Sequence, residues 1–426
     1  MFKNILSTIT SRILIALLTL IIVLVNARLL GTEKVGTIAL IVLAIAIIQL
    51  VSNLIGGGAL VYLLPRTQLI KIFLPSCGWT FLTSAMGSFI LNVLHLIPDG
   101  YVMHVFYLSL LLSLFTINFM VLMGEERIRP YNIISLLQVV ILFGVLMFFL
   151  FGLKNREVLA YIYSLYISYI FAFLASLLLI LSSFRKKEII GSGKVLKELV
   201  HLGSVMQMGN ILQFFNYRLS YYFIEFFLNR AAVGIYSVGV QLSESIWLIA
   251  KSIHLVQYTR ISNEKDEKYA AKLTMNLVKI SFLLTLLSLI VIIVLLHVFF
   301  ALIFKPAFSQ VPAIMYSLAI GILTFSVSIN LSPYFSGLGK PIHNTLSAAI
   351  GLFFTVVFCI VLIPRLGLIG AGLAATLSYV AATLYQFIVF IRRTKLRPND
   401  FILKKSDFTT ILKQIKDIIS QRRNPA

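Results

Sequence analysis

"SRILIALLTLIIVLVNARLLGTEKVGTIALIVLAIAIIQL", residues 11–50, holds two long apolar runs divided by a short polar turn around Thr32. Each run is long enough to cross a hydrocarbon core, which takes about 20 helical residues. Lipid offers no partner for a bare backbone amide, so the runs are helices that bond their own backbone. The first run is too long for a secretory signal and lacks a convincing small-residue cleavage site, so it reads as an uncleaved first span.

The same pattern continues along all 426 residues, of which 59% are hydrophobic and 12% charged. Soluble domains carry roughly a quarter charged residues. The mean hydropathy is +0.98. The chain is therefore expected to be all-α, a polytopic membrane protein with about twelve transmembrane helices. No polar stretch is long enough for a soluble catalytic domain, and the outer loops are too short for a membrane glycosyltransferase or polymerase site.

The net charge of +21 invites a nucleic-acid reading, but the cations sit in short loops and in the C-terminal tail. "GEERIRP" (124–130), "FRKKEIIGSGKVLKE" (184–198) and "RISNEKDEKYAAK" (260–272) precede the fifth, seventh and ninth spans. The alternate turns are poor in cations. That bias places these loops and both termini in the cytoplasm and predicts no nucleic-acid partner. Cys77 and Cys359 lie in apolar segments, and His95, His104, His254 and His297 are scattered singly. Neither set has ligand spacing, so no metal and no cofactor is expected.

Weak internal repeats share one order. "LGTEKVGTIAL" (30–40) resembles "LNRAAVGIYSV" (228–238), matching Val35-Gly36 with Val233-Gly234. "GEERIRPYNIIS" (124–135) resembles "GLGKPIHNTLS" (337–347), and "YISY" (166–169) pairs with "LSY" (377–379). These matches predict two pseudo-symmetric six-helix lobes around a central cavity, related by an axis along the membrane normal. The divisions are an N-lobe over 1–184, a linker over 185–198, a C-lobe over 199–392 and a basic tail over 393–426. In the tail, Phe408, Ile411, Leu412, Ile415, Ile418 and Ile419 fall on one face, as in a helix lying on the membrane.

Polar residues inside spans are costly and usually face a bundle interior or a wet cavity. "NILQFFNYRLSYYFIEFF" (210–227) carries Arg218 and Glu225 in the seventh span. Gln207, Arg218, Tyr221, Tyr222 and Glu225 share a face there. Ser237, Gln241, Glu244 and Lys251 share one in the eighth span. Gln49, Ser52, Asn53 and Gly56 form a stripe in the second, which suits either a cavity or helix packing. Arg12, Thr19 and Asn26 align in the first. Arg218 is either a partner of Glu225 or Glu244, or an anion site lining the cavity. Glu225 and Glu244 are candidates for coupling or counter-charge. The first six spans contain no buried carboxylate for a coupling cation.

"ARLLGTEKVG", "FFNYRLSYYFIEFFLNRAAVGIYSVGVQLSESIW" and "LIPRLGLIGAGLAATLSY" resemble bacterial O-antigen/polysaccharide flippases of the Wzx type. These belong to the multidrug/oligosaccharidyl-lipid/polysaccharide (MOP) exporter superfamily. The resemblance covers nearly the whole chain. It implies a transporter of the bacterial inner membrane that flips an undecaprenyl-pyrophosphate-linked oligosaccharide by alternating access. Its implied partners are that lipid-linked oligosaccharide, membrane lipids and polysaccharide polymerase or chain-length machinery. The implied cavity cations are Arg218, Arg12 and Lys251, and helical phase adds Gln49, Asn53, Gln207, Tyr221, Tyr222 and Gln241 as candidate polar lining. The alternative within the superfamily is a cation-coupled multidrug exporter.

Overall fold

The computed structural model describes residues 2–185, 195–262 and 266–401. Most of the expected linker and the amphipathic end of the tail lie outside the described residues. Among the described residues the chain is helical throughout, without strands. The helices are α1 (Phe2–Leu30), α2 (Thr32–Gly56), α3 (Gly58–Leu63), α4 (Leu69–Val93), α5 (Val102–Gly124), α6 (Ile128–Met147) and α7 (Val158–Ile180). The second half supplies α8 (Val195–Arg218), α9 (Ser220–Phe227), α10 (Arg230–Ser245), α11 (Trp247–Ser262), α12 (Glu267–Ile303), α13 (Val311–Gly337) and α14 (Ile342–Thr394).

Nine stretches among the described residues are long and apolar enough to span, or ten with α10 and α11, which meet at a 46° bend. The expected twelve are reached through two further crossings. First, α14 runs for 53 residues but breaks at Gly367, where φ is 59°. Pro364 lacks an amide proton, and a glycine tolerates the left-handed backbone. The limbs then fold back on each other: His343 meets Tyr385, Ser347 bonds to Ala382, and Thr355 meets Ser378. Second, α8 and α9 follow each other with only Leu219 between them, a polar-rich stretch long enough to cross. Its Asn216 Oδ1 lies 2.8 Å from the Thr355 hydroxyl and 2.5 Å from that of Ser378, tying α8 to both limbs of α14.

The repeated glycines meet each other. A Cβ built on Gly36 would lie 2.0 Å from the Arg230 carbonyl oxygen, and one on Gly234 would lie 2.0 Å from that of Thr32. α2 of one half and α10 of the other therefore touch backbone to backbone, reciprocally, beside the α1–α2 and α9–α10 turns. Asn229 caps α10 through the Ala232 amide at 2.9 Å, and Arg230 bonds back to Glu225 at 2.9 Å, fixing that turn. A second contact closes the opposite end, where a Cβ on Gly203 would sit 1.6 Å from the Leu54 carbonyl. Gln207 Nε2 donates to the Leu50 carbonyl one turn away. Along α2 the two contacts are separated by about 20–27 Å at 1.5 Å per residue.

Lipid supplies no hydrophobic drive between helices, so close packing of small residues carries such contacts. Gly36→Ala or Gly234→Ala forces two rigid backbones apart. Overpacking of this kind costs about 1–3 kcal/mol. Each variant is expected to melt lower in detergent and to expose the Thr32 end to a membrane-impermeant thiol probe on an introduced cysteine. Gly203→Ala is expected to expose the other end instead.

Candidate functional site

Arg218 ends α8, and its guanidinium is held by Glu244 of α10. Both bonds are 2.7 Å, Nη1 to Oε1 and Nη2 to Oε2, a parallel fork. The side chains are 25% and 13% exposed. The Tyr221 ring lies 5.7 Å from the guanidinium. The pair is thus charge-neutral and internal to the second half: the carboxylate of the next span holds the guanidinium, and Arg218 also borders a cavity between the two halves. Glu225 does not take part, because Arg230 claims it from both Nε and Nη2.

Beside this pair stands a packed tetrad of Tyr217, Trp247, Phe325 and Tyr379. All six ring pairs have centroids between 5.0 and 5.9 Å apart. Trp247 is fully buried and anchors the tetrad by donating from Nε1 to the Ile322 carbonyl at 2.9 Å. It also opens α11 just past the bend. α8 borders two cavities, one through Tyr217 and the other through Phe214 and Arg218.

The smaller cavity, about 240 Å³, lies between the halves. α1 and α2 supply Thr19, Asn26, Val35 and Ala46; α8 to α10 supply Arg218, Tyr221, Ser237 and Gln241. It occupies the stretch of α2 between the two backbone contacts. Asn26 is 5% exposed, and its Oδ1 has no donor.

The larger cavity, about 1070 Å³, is formed wholly by the second half. α8 contributes Ser204, Gln213 and Tyr217, and α11 contributes Lys251, His254 and Tyr258. Ser328, Ser332, Asn344 and Gln386 come from α13 and α14. Those amides form a chain: Ser328 donates to Gln386, Gln386 to Asn344, and Asn344 to Ser336. Lys251 Nζ lies 5.8 Å from the Trp247 ring and makes no ion pair among the described residues. Ser204 also belongs to a shallower recess with Lys197 and His201 at the start of α8.

The remaining sequence candidates reach neither cavity. Gln49 donates to Thr116 at 3.0 Å, and its neighbour Ser52 meets Thr83 at 2.5 Å, so this stripe knits the first half together. Asn53 is half-buried outside both cavities, and Arg12 is exposed. Gln207 joins α8 to α2, and the Tyr222 hydroxyl is buried without a partner among the described residues. The polar residues of α13 and α14 went unread, although Ser328, Ser332 and Ser336 recur every fourth position, which marks one helix face.

No family model matches the sequence. The uncharacterized membrane protein MJ1068 of Methanocaldococcus jannaschii is 25% identical over 359 residues, 79% of this chain and 67% of that protein. The solved lipid II flippase MurJ, in an inward closed conformation, superposes with a TM-score of 0.74 at 15% identity, covering 94% of this chain and 89% of that one. An inward-facing multidrug resistance MATE transporter of the MOP superfamily gives 0.69 at 12% identity, covering 89% and 94%. A Vibrio cholerae MATE transporter gives 0.62 at 13%, covering 94% and 98%. The fold is that of MOP-superfamily transporters. These neighbours are transporters and a flippase rather than enzymes. Among the described residues no three His, Cys, Asp or Glu side chains converge to hold a metal ion.

Removing one member of a buried ion pair strands the other, at a cost of about 3–5 kcal/mol, whereas replacing both with apolar groups is often neutral. Arg218→Met and Glu244→Leu are each expected to lower the melting temperature strongly, and the double variant to recover most of it. A thermal melt of the three purified proteins checks this.

Proposed function

We propose that this protein is a flippase for a lipid-linked oligosaccharide with an anionic head, working by alternating access between its two lobes. The supporting observation is Lys251: a cation without an ion pair among the described residues, set in a cavity of about 1070 Å³ and backed by an aromatic wall. Arg218 has the wrong electrostatics for a phosphate anchor, since Glu244 already cancels it. Lys251 does not share that defect. An ammonium is a compact point charge with three donors, suited to a phosphate in a wet vestibule.

The amide and hydroxyl chain from Ser328 to Ser336 offers sugar hydroxyls both donors and acceptors on the same wall. The recess around Lys197 and His201 leads toward Ser204 and the larger cavity. In the orientation given by loop charge, that recess faces the cytoplasm, where a lipid-linked precursor would enter. The MurJ neighbour carries a lipid-linked substrate by name, which supports the same class here. A polyprenyl chain would stay in lipid while the head enters the cavity.

A second reading keeps equal standing, a multidrug exporter of the same fold. The tetrad of aromatic rings and the neutral Arg218–Glu244 pair favour it, because aromatic faces attract organic cations. The two readings place opposite demands on Lys251, which attracts a phosphate and repels a cationic drug.

Lys251→Ala is therefore expected to cut glycan export at least tenfold in cells where the protein is the sole exporter, and Lys251→Arg to restore most of it. Membrane abundance of each variant is measured alongside. Unchanged glycan with increased resistance to a cationic dye would give the function to the multidrug reading.

A further inference from the structure

α13 and α14 meet at a tight turn on one end of the bundle. Gly339 takes a φ of 70°, and the Lys340 amide bonds back to the Phe335 carbonyl at 2.8 Å. That turn sets Lys340 just ahead of His343, on the first turn of α14. The second limb of α14 returns to the same end and closes on Arg393. Two consecutive pairs fix the limbs there: His343 Nδ1 with the Tyr385 hydroxyl at 3.2 Å, and Gln386 Nε2 with Asn344 Oδ1 at 3.0 Å. The Phe335 ring packs on the imidazole with centroids 5.2 Å apart.

Arg393 Nη1 lies 3.5 Å from His343 Nε2. A guanidinium only donates, so Nε2 is the acceptor, and Nδ1 carries the proton that it gives to Tyr385. The arginine is thus positioned by a neutral ring. That sets it apart from Arg127, Arg218 and Arg230, each of which meets a carboxylate. The nearby acids are engaged elsewhere. Glu267 accepts from the Tyr334 hydroxyl at 3.0 Å and lies 3.9 Å from Lys340, and Asp400 accepts from the Arg397 amide at 2.8 Å. Arg393 makes no ion pair among the described residues. Arg393 and Lys340 both act electrostatically on the His343 ring, so two like charges gather around one side chain. Like charges held together repel, and a bound anion relieves that repulsion.

Depth selects the anion. His343 begins one crossing and Arg393 ends the next, so both sit where hydrocarbon gives way to lipid headgroups. Every phospholipid carries a phosphate at that level, and an arginine fork matches its oxygens. Ile342, Leu346 and Phe353 are exposed and share a face of α14, a path for an acyl chain beside the cations. We infer that Lys340 and Arg393, with His343 as a positioning residue, form a phosphate site at the turn between α13 and α14, filled by a phospholipid headgroup or by free phosphate. The site does not depend on the cargo of the larger cavity.

The test uses full-length protein carrying Lys251→Ala, so that the other proposed phosphate ligand is absent. It is titrated in nonionic detergent with short-chain phosphatidic acid, the matching diacylglycerol or inorganic phosphate, and its melting temperature is followed. Phosphatidic acid is expected to raise that temperature saturably, and diacylglycerol, which lacks the phosphate, is not. Arg393→Gln and Lys340→Gln are each expected to weaken the apparent affinity at least fivefold. His343→Leu is expected to weaken it as well while removing no positive charge, and His343→Gln, which keeps an acceptor, to retain most of it. Arg392→Gln combined with Lys395→Gln removes two exposed cations from the same end and is expected to change affinity less than twofold. Inorganic phosphate that saturates as phosphatidic acid does assigns the site to free phosphate, and a requirement for the acyl chains assigns it to lipid. Four results would each overturn the inference: no saturable shift with either phosphate ligand, an equal response to diacylglycerol, normal binding by His343→Leu, or an equal loss in the Arg392 and Lys395 control, the mark of a diffuse basic surface.

Discussion

The structure depends on one close approach, the backbone contact between Gly36 of α2 and Gly234 of α10. Neither position has room for a Cβ, so the two halves meet through peptide groups rather than side chains. A lipid-bathed bundle has no hydrophobic effect to pull its helices together, and dispersion at short range does that work. Gly203 repeats the device at the opposite end against Leu54. The inter-half cavity is what remains between the two contacts. Both closures are present together in this arrangement.

Charge is handled with the same economy. A guanidinium in a low-dielectric bundle must be answered, and Glu244 answers Arg218 with two bonds of 2.7 Å. The answered pair no longer acts as a cation and becomes a neutral donor surface. Lys251, seven residues beyond Glu244 and past the bend between α10 and α11, lines the larger cavity and makes no ion pair among the described residues. Four aromatic rings pack beside the pair, and two of them, Tyr217 and Phe325, line the larger cavity.

The two halves share a plan and differ in content. In the first half, Gln49, Ser52, Asn118 and their partners bond helix to helix and leave little polar surface free. In the second, the polar groups of α13 and α14 border open space. One half is built as a rigid wall and the other holds the larger cavity.

The sequence by itself determined the class and the helical crossings, because these follow from local composition. A run of apolar residues must be a helix in lipid wherever it lies. The polar stripes, Asn26 among them, were also legible from helical phase. Partner choice was not. Phase placed Arg218 on one face with Glu225, yet Glu225 pairs with Arg230 across a tight turn, and Glu244 arrives from the neighbouring helix. Phase likewise put Lys251 in register with Gln241, although a 46° bend carries them into different cavities. Those outcomes depend on how helices cross and where they bend, which is a property of packing between segments distant in the chain. Only the tertiary structure decides which charge is cancelled and which is left free.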